Sequence, residues 1–212
     1  MILTKLSHCC LIVEEKGLRI LTDPGAYSTL QNQTKNIDII LITHEHADHL
    51  HVESLKTVLE NNPKALIITN HGVGKILDEQ RIPHEFLEHG EEKIIGEVKL
   101  EGHGDRHADI YPTVPVAQNT GYFISGRLFY PGDALYNPQK PVEILALPVS
   151  GPWIKISEST DYAKLIKPKI CFPVHDGMLK FFGAIHRVPG NALAEMGSKF
   201  IIPDLGKNIT LE

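Results

Sequence analysis

The sequence predicts an α/β sandwich, with two packed sheets and helices on their outer faces. Three observations carry this. Short strand-like runs open the chain and recur in its middle. After each set, strand and helix patterns alternate. The polar, histidine-rich segments fall just past apolar runs, at strand ends, where such folds place their chemistry. No linker, low-complexity tract or repeat divides the 212 residues, which suffice for one domain over 1–212 with a sizeable core.

The elements follow in order. Residues 2–6, 9–14 and 18–22 read as strands, with Glu14-Glu15-Lys16-Gly17 as a hairpin turn between the last two. Leu21-Thr22-Asp23-Pro24-Gly25 ends the third. The run 37–42 is apolar throughout, as in a strand buried on both faces. Val52, Leu55, Val58 and Leu59 recur at helical spacing over 52–61, and Asn61-Asn62-Pro63 stops that helix. Residues 65–69 form the next strand, and a helix over 72–80 follows. The middle is β-rich, over 84–88, 93–101, 120–125 and 127–131. There Val98 and Leu100 alternate with Lys99 and Glu101, as in a strand with one wet face. Residues 102–119 form a long loop, and loops of that length in a compact domain are usually functional. The last third reads strand 143–147, helix 158–166, strand 169–173, helix 178–185, then an edge strand near 208–211.

Composition narrows the function. A net charge of -5 with 21 Lys+Arg against 26 Asp+Glu opposes a nucleic-acid or anionic-membrane partner, since phosphate binding needs a cationic excess. No stretch approaches a spanning helix, and the N-terminus lacks signal-peptide organisation. Cys9, Cys10 and Cys171 are odd in number and include an adjacent pair, so a disulfide framework is not expected and a reducing cytoplasm is. The 12 histidines are clustered.

The densest cluster is His44-Glu45-His46-Ala47-Asp48-His49, directly after the apolar run Ile39-Ile40-Leu41-Ile42. His44 and His46, two apart in an extended segment, point the same way, while Asp48 and His49 turn toward a second direction. One loop can thus feed two neighbouring metal ions, and water on such a pair ionises near neutral pH. Further ligands are sought at other strand ends. His107 lies in the 102–119 loop, Asp133 follows Pro131-Gly132, and His175 follows Pro173-Val174. Imidazoles and carboxylates suit zinc, with manganese or iron as alternatives, and none of these positions offers a thiolate.

In this order, His44-x-His46-x-Asp48-His49, a downstream His, Gly132-Asp133 and His175 resemble the signature of the metallo-β-lactamase fold superfamily. Leu21-Thr22-Asp23-Pro24-Gly25 resembles its first motif. The likeness runs from about residue 2 to residue 185. The short chain, with Leu147-Pro148 and Pro173-Val174-His175-Asp176, is most similar to the stand-alone metal-dependent hydrolase branch that includes ascorbate-phosphate lactonase-like proteins. The resemblance implies a four-layer αββα sandwich of two mixed sheets with outer helices. It implies that His44, His46 and His107 hold one divalent metal, that Asp48, His49 and His175 hold a second, and that Asp133 bridges them about 3.5–4 Å apart. Asp48 and Asp133 are then the catalytic carboxylates, Asp48 also moving a proton, and Asp23 orients a ligand from behind. His103 and His107 compete for one position. The setting of His107, before Ala108 and a Pro-containing stretch, is closer to the branch's pattern. His8, at the end of the first strand, has a counterpart near the pocket in some relatives.

The implied reaction is hydrolysis of a small ester, lactone, amide or phosphoester by bridging hydroxide. A di-iron redox or oxygen-using protein and a non-catalytic metal binder are the alternatives. The expected partner is a small-molecule substrate, with self-association possible. Its choice falls to the loops Tyr111 to Asn119, Tyr136-Asn137 and Ser150-Gly151-Pro152-Trp153, with Lys155 or Arg106 available to an anionic group.

Overall fold

The computed structural model describes residues 1–212. In chain order it contains β1 (Ile2–Ser7), β2 (Cys10–Glu15), β3 (Leu18–Thr22), β4 (Ile39–Leu41), α1 (Val52–Asn61), β5 (Leu66–Thr69), α2 (His71–Glu79), β6 (Glu85–Phe86), β7 (Glu92–Ile95), β8 (Val98–His103), β9 (Gly121–Ile124), β10 (Leu128–Tyr130), β11 (Ile144–Pro148), α3 (Ile156–Ile166), β12 (Ile170–Val174), α4 (Gly183–Ala194), β13 (Lys199–Phe200) and β14 (Asn208–Thr210). A single 3-10 turn spans Leu30–Gln33.

Two seven-stranded sheets form, ordered β14-β1-β2-β3-β4-β5-β6 and β13-β12-β11-β10-β9-β8-β7. Both are mixed. In the first, the pairs from β14 to β3 are antiparallel and those from β3 to β6 parallel. In the second, the pairs from β7 to β10 are antiparallel and those from β10 to β13 parallel.

Side-chain alternation along the strands separates the layers. Ile39 and Leu41 face inward, where they join Leu3, Leu11, Val13 and Ile20 against Val98, Leu100, Tyr122, Leu128 and Phe172 of the other sheet. Ile40 and Ile42 face outward and meet Leu55 and Val58 of α1 and Val73 and Leu77 of α2. On the second sheet, Phe123, Phe129, Leu145 and Leu147 face outward onto Tyr162 and Ala163 of α3 and Leu193 of α4. The result is the four-layer αββα sandwich with two mixed sheets and outer helices. The three cysteines are buried and unbridged, one in each of these apolar clusters.

Three elements depart from the sequence expectation. The strand expected over 93–101 is a hairpin, β7 and β8, turning at Gly96 with φ +57°. The segment 199–200 pairs with β12 as β13. The helix expected over 178–185 begins later and extends through Pro189 to Ala194. Proline there removes one backbone hydrogen bond, but His186, Pro189 and Leu193 are the buried residues of this helix, and their packing outweighs local propensity. No helix is long and apolar enough to cross a membrane.

Candidate metal centre

Sheet directions bring the polar segments to one edge of the sandwich. β1, β3 and β4 run the same way in the first sheet, because two antiparallel steps separate β1 from β3 and one parallel step joins β3 to β4. β8, β10 and β12 share a direction in the second sheet by the same reasoning. Their C-terminal ends carry His8, Asp23, the 44–49 loop, His107, Asp133 and His175. Backbone bonds stitch the two sets together. Thr120 N–H donates to the Thr43 carbonyl (3.0 Å), Ala108 N–H to that of Asp133 (2.9 Å), and His175 N–H to that of His8 (3.2 Å).

Two glycines make this convergence possible. A Cβ at Gly25 would fall 1.8 Å from the Asp48 carbonyl oxygen, so only glycine lets the chain after β3 pass under the 44–49 loop. Gly132, at φ +64°, would set a Cβ 2.3 Å from Asn119 Oδ1. That oxygen accepts the Asp133 N–H at 3.0 Å and so fixes the turn that delivers the carboxylate.

The seven predicted site residues lie together. Donor atoms of His44, His46 and His107 are within 4.8 Å of one another, and so are those of His8, Asp48, His49 and His175. Asp133 lies between the groups. Its Oδ1 is 3.2 Å from His49 Nε2, and its Oδ2 is 2.7 Å from His175 Nε2, 3.4 Å from His107 Nε2 and 3.9 Å from His44 Nε2. His103 is elsewhere, on β8, with its Nε2 at 3.3 Å from Glu101 and its ring beside Phe129.

The histidine tautomers are set from behind. Asp23 Oδ2 accepts from His49 Nδ1 at 2.7 Å and from the hydroxyl of Thr43 at 2.8 Å. Since that hydroxyl donates to Asp23, its oxygen accepts from His44 Nδ1 at 3.0 Å. His107 Nδ1 donates to the Ala108 carbonyl. With each Nδ1–H engaged, each Nε2 points at the cluster and offers it a lone pair whenever it is unprotonated. The Nε2 atoms of His44, His49, His107 and His175 and Asp133 Oδ1 are buried and face one another across the cluster. Nitrogens and oxygens that converge in this way, at such a cost in desolvation, form a cluster whose donor atoms could hold a metal ion.

Charge follows the same logic. Burial holds His44 well below the usual imidazole range, reinforced by His49 nearby, so it stays neutral. His46 is lowered by its partial burial and by His107. Burial alone would raise the Asp133 carboxyl, but His49 and His175 outweigh it and hold it far down. Burial likewise opposes a proton on His175, yet Asp133 and Asp48 push its pKa up to about 10. His49 is raised in the same way, chiefly by Asp133 against burial. Protons on these two rings thus balance the carboxylates where a metal's charge would.

Some residues here were faint or silent in the sequence. His8 is 1% exposed with φ +26°. Its Nδ1 accepts the Gly177 N–H at 3.1 Å, so its proton sits on Nε2, 3.2 Å from Asp48 Oδ2. Its signal was its place at the end of the first strand. Cys9 Sγ lies within 4.8 Å of donor atoms of His49 and Asp133, beneath positions that offer no thiolate. Above the cluster is a cavity of about 390 Å³, lined by Tyr27, Ile110, Pro152, Trp153 and Met178 with the cluster itself. Of the segments expected to choose the substrate, Ser150-Gly151-Pro152-Trp153 reaches it through Pro152 and Trp153, whereas no residue from Tyr111 to Asn119 lines it and only the preceding Ile110 does. Tyr136 packs instead on His89 and His103, and Arg106 pairs with Asp109. Tyr27 and Met178 carried no sequence signal.

The comparisons agree with this geometry. The description beta-lactamase superfamily domain matches residues 2–175. Among relatives, Protein Rv0786c of Mycobacterium tuberculosis is 36% identical over 182 residues, 84% of each chain. UPF0173 metal-dependent hydrolase MJ1163 of Methanocaldococcus jannaschii is 26% identical across 99% of this chain and 100% of its own. Among solved structures, Igni18, a metallo hydrolase from Ignicoccus hospitalis, superposes with a TM-score of 0.78 over 100% of this chain and 98% of its own, at 20% identity, a likeness of fold. The αββα layers, the edge at which the His/Asp loops meet and the matched span lead to one conclusion: this chain belongs to the beta-lactamase superfamily.

Proposed function

We propose that the protein is a metal-dependent hydrolase of small molecules with a dinuclear centre. His44, His46 and His107 would hold one ion and Asp48, His49 and His175 the other, with Asp133 available to both. Zinc is the first choice, with manganese or iron compatible with the same donors. The observation that carries this reading is the convergence of buried Nε2 and Oδ atoms described above. Relatives named metal-dependent hydrolases support it. When bound, such ions supply Lewis acidity and lower the pKa of a coordinated water to about 7.

The chain's own residues do the rest. Asp23 and Thr43 lock the rings of His49 and His44, so little reorganisation accompanies the reaction. Asp48, at the cavity mouth, keeps its Oδ2 aligned by the His8 Nε2–H and is placed to accept and pass on a proton. Trp153 stands edge-on to His107 and His175, with centroids 5.7 and 5.6 Å away, and limits water at the reacting centre. The test is turnover of lactones, esters, thioesters, amides and phosphodiesters by metal-loaded protein, with metal content measured in parallel. No turnover of any class by protein holding two ions per chain would defeat the hydrolase reading.

Two further results are expected. Metal uptake at pH 8 releases protons, because His175, with a pKa of about 10 in the metal-free chain, must give one up to become a ligand. Affinity therefore falls as pH is lowered. Calorimetry in two buffers of different ionisation enthalpy reads the proton count, and a count of zero contradicts the ligand role. In the same metal-free chain, the stability contributed by the raised His175 is complete below about pH 6.5 and is lost as pH climbs toward 10. Second, His8→Ala frees the Asp48 carboxylate and weakens one of two binding steps by about 10- to 100-fold. A metal titration with both steps unchanged would remove His8 from the site.

A further inference from the structure

Resting on the hydrolase reading, we propose that the substrate carries an uncharged apolar tail, an alkyl or aryl group, seated on the wall made by Tyr27, Ile110, Pro152, Trp153 and Met178. The cavity, about 390 Å³, is at the small end of ligand sites, roughly 300–1,000 Å³. Its wall is assembled from the segments that follow β3, β8, β11 and β12, so the fold builds it rather than one loop. Apart from the Tyr27 phenol, every ionisable group lining it belongs to the proposed ligand set. A substrate phosphate or carboxylate away from the scissile group would find no charge-assisted donor there. Of the cations on the flanking loops, Arg106 pairs with Asp109 and Lys180 lies over the Phe181 ring at 5.5 Å, while Lys155, exposed at the start of α3, does not line the cavity.

The wall is also rigid where it matters. Trp153 is 9% exposed. Gly151, at φ +151°, lies so close beneath it that a Cβ would come 2.8 Å from the indole Nε1 and 3.2 Å from His175 Cε1. The indole is therefore seated against the ligand set itself. Outside the cavity the same loops also expose large apolar side chains. Tyr111 follows Ile110 and is 65% exposed, and Phe181 follows Met178 by three residues and is 79% exposed.

Alkyl hydroxamates test this directly, because the metal-binding head is constant while the tail varies. Trp153 is the only tryptophan, so its fluorescence reports binding without ambiguity. For zinc-loaded wild type, Kd falls roughly two- to fourfold per methylene from acetohydroxamate to octanohydroxamate. Suberic monohydroxamate, equal in length but ending in a carboxylate, binds at least about tenfold more weakly. Met178→Lys narrows or reverses that preference. A Kd independent of chain length, tighter binding of the carboxylate tail, or no binding of octanohydroxamate overturns the proposal. Turnover of a γ-lactone series separates the two claims. Chain-length-dependent hydroxamate binding with no turnover of any substrate class refutes the hydrolase reading and leaves the apolar site standing. Turnover with no preference for longer or uncharged tails does the reverse.

Discussion

Asp133→Ala abolishes metal-dependent hydrolysis and leaves a folded chain. The carboxylate approaches His44, His49, His107 and His175 at once, so its loss removes the only group shared by both halves of the cluster. Two neighbouring cations held by this cluster would then lack the negative charge that offsets their repulsion. The expected outcome is loss of both ions and a fall in kcat/KM of at least about 10³-fold, on the order of 4 kcal/mol of transition-state stabilisation. Folding survives because Asp133 is the leading influence holding protons on His49 and His175. Without it the rings become neutral, and no unpaired buried charge remains. His46→Ala separates the halves. His46 is the half-buried member of its triad, so stability changes little, one ion is lost and turnover falls comparably. Metal analysis, far-UV circular dichroism and steady-state rates on both variants decide the matter. Wild-type turnover in either variant would defeat the mechanism.

The sequence shows the 44–49 loop clearly because all of its information is local. An apolar run, a turn and four donors lie within the eleven residues from Ile39 to His49, and each side chain's direction follows from the strand before it. His107, Asp133 and His175 are legible only jointly, since a histidine or aspartate after a strand is ordinary by itself. What tells His107 from His103 is the exit of β8, where His103 still belongs to the strand and turns to Glu101. The cavity wall is least legible. Tyr27 and Met178 come from segments 151 residues apart in sequence, and only the meeting of two sheets makes them neighbours. The helix expected over 178–185 continues through Pro189 because α4 is held by the face it buries, which local propensity does not register.

Asp176→Ala and Lys5→Met each destabilise the metal-free chain by about 3–5 kcal/mol, the range for breaking a buried ion pair from one side. Lys5 on β1 is 3% exposed and Asp176, just past β12, is 3% exposed. Lys5 Nζ donates to Asp176 Oδ1 at 2.6 Å and to the Pro173 carbonyl at 2.8 Å, and His186 of α4 lies 2.9 Å from Asp176 Oδ2. Three elements from both sheets and an outer helix are thus joined through one carboxylate. Removing Lys5 leaves Asp176 with His186 alone, and removing Asp176 leaves a buried ammonium. Either is worse than an apolar replacement of both, so Lys5→Met with Asp176→Leu costs less than the sum of the single changes. Burial alone would raise the Asp176 carboxyl, but hydrogen bonds from His186 and Lys5 hold it below its ordinary value. Its contribution is therefore present above about pH 4 and lost as pH falls below that, and Asp176→Ala flattens the acid limb of the stability curve. The effect reaches the metal site as well. His175, next in chain, is held at φ +60°, and with Asp176 released its ring is no longer fixed toward Asp133, so one metal-binding step weakens while the other does not. Urea midpoints on the metal-free variants together with metal titrations measure both effects. Midpoints equal to wild type in the two single variants would show that the buried pair contributes nothing to holding the sheets together.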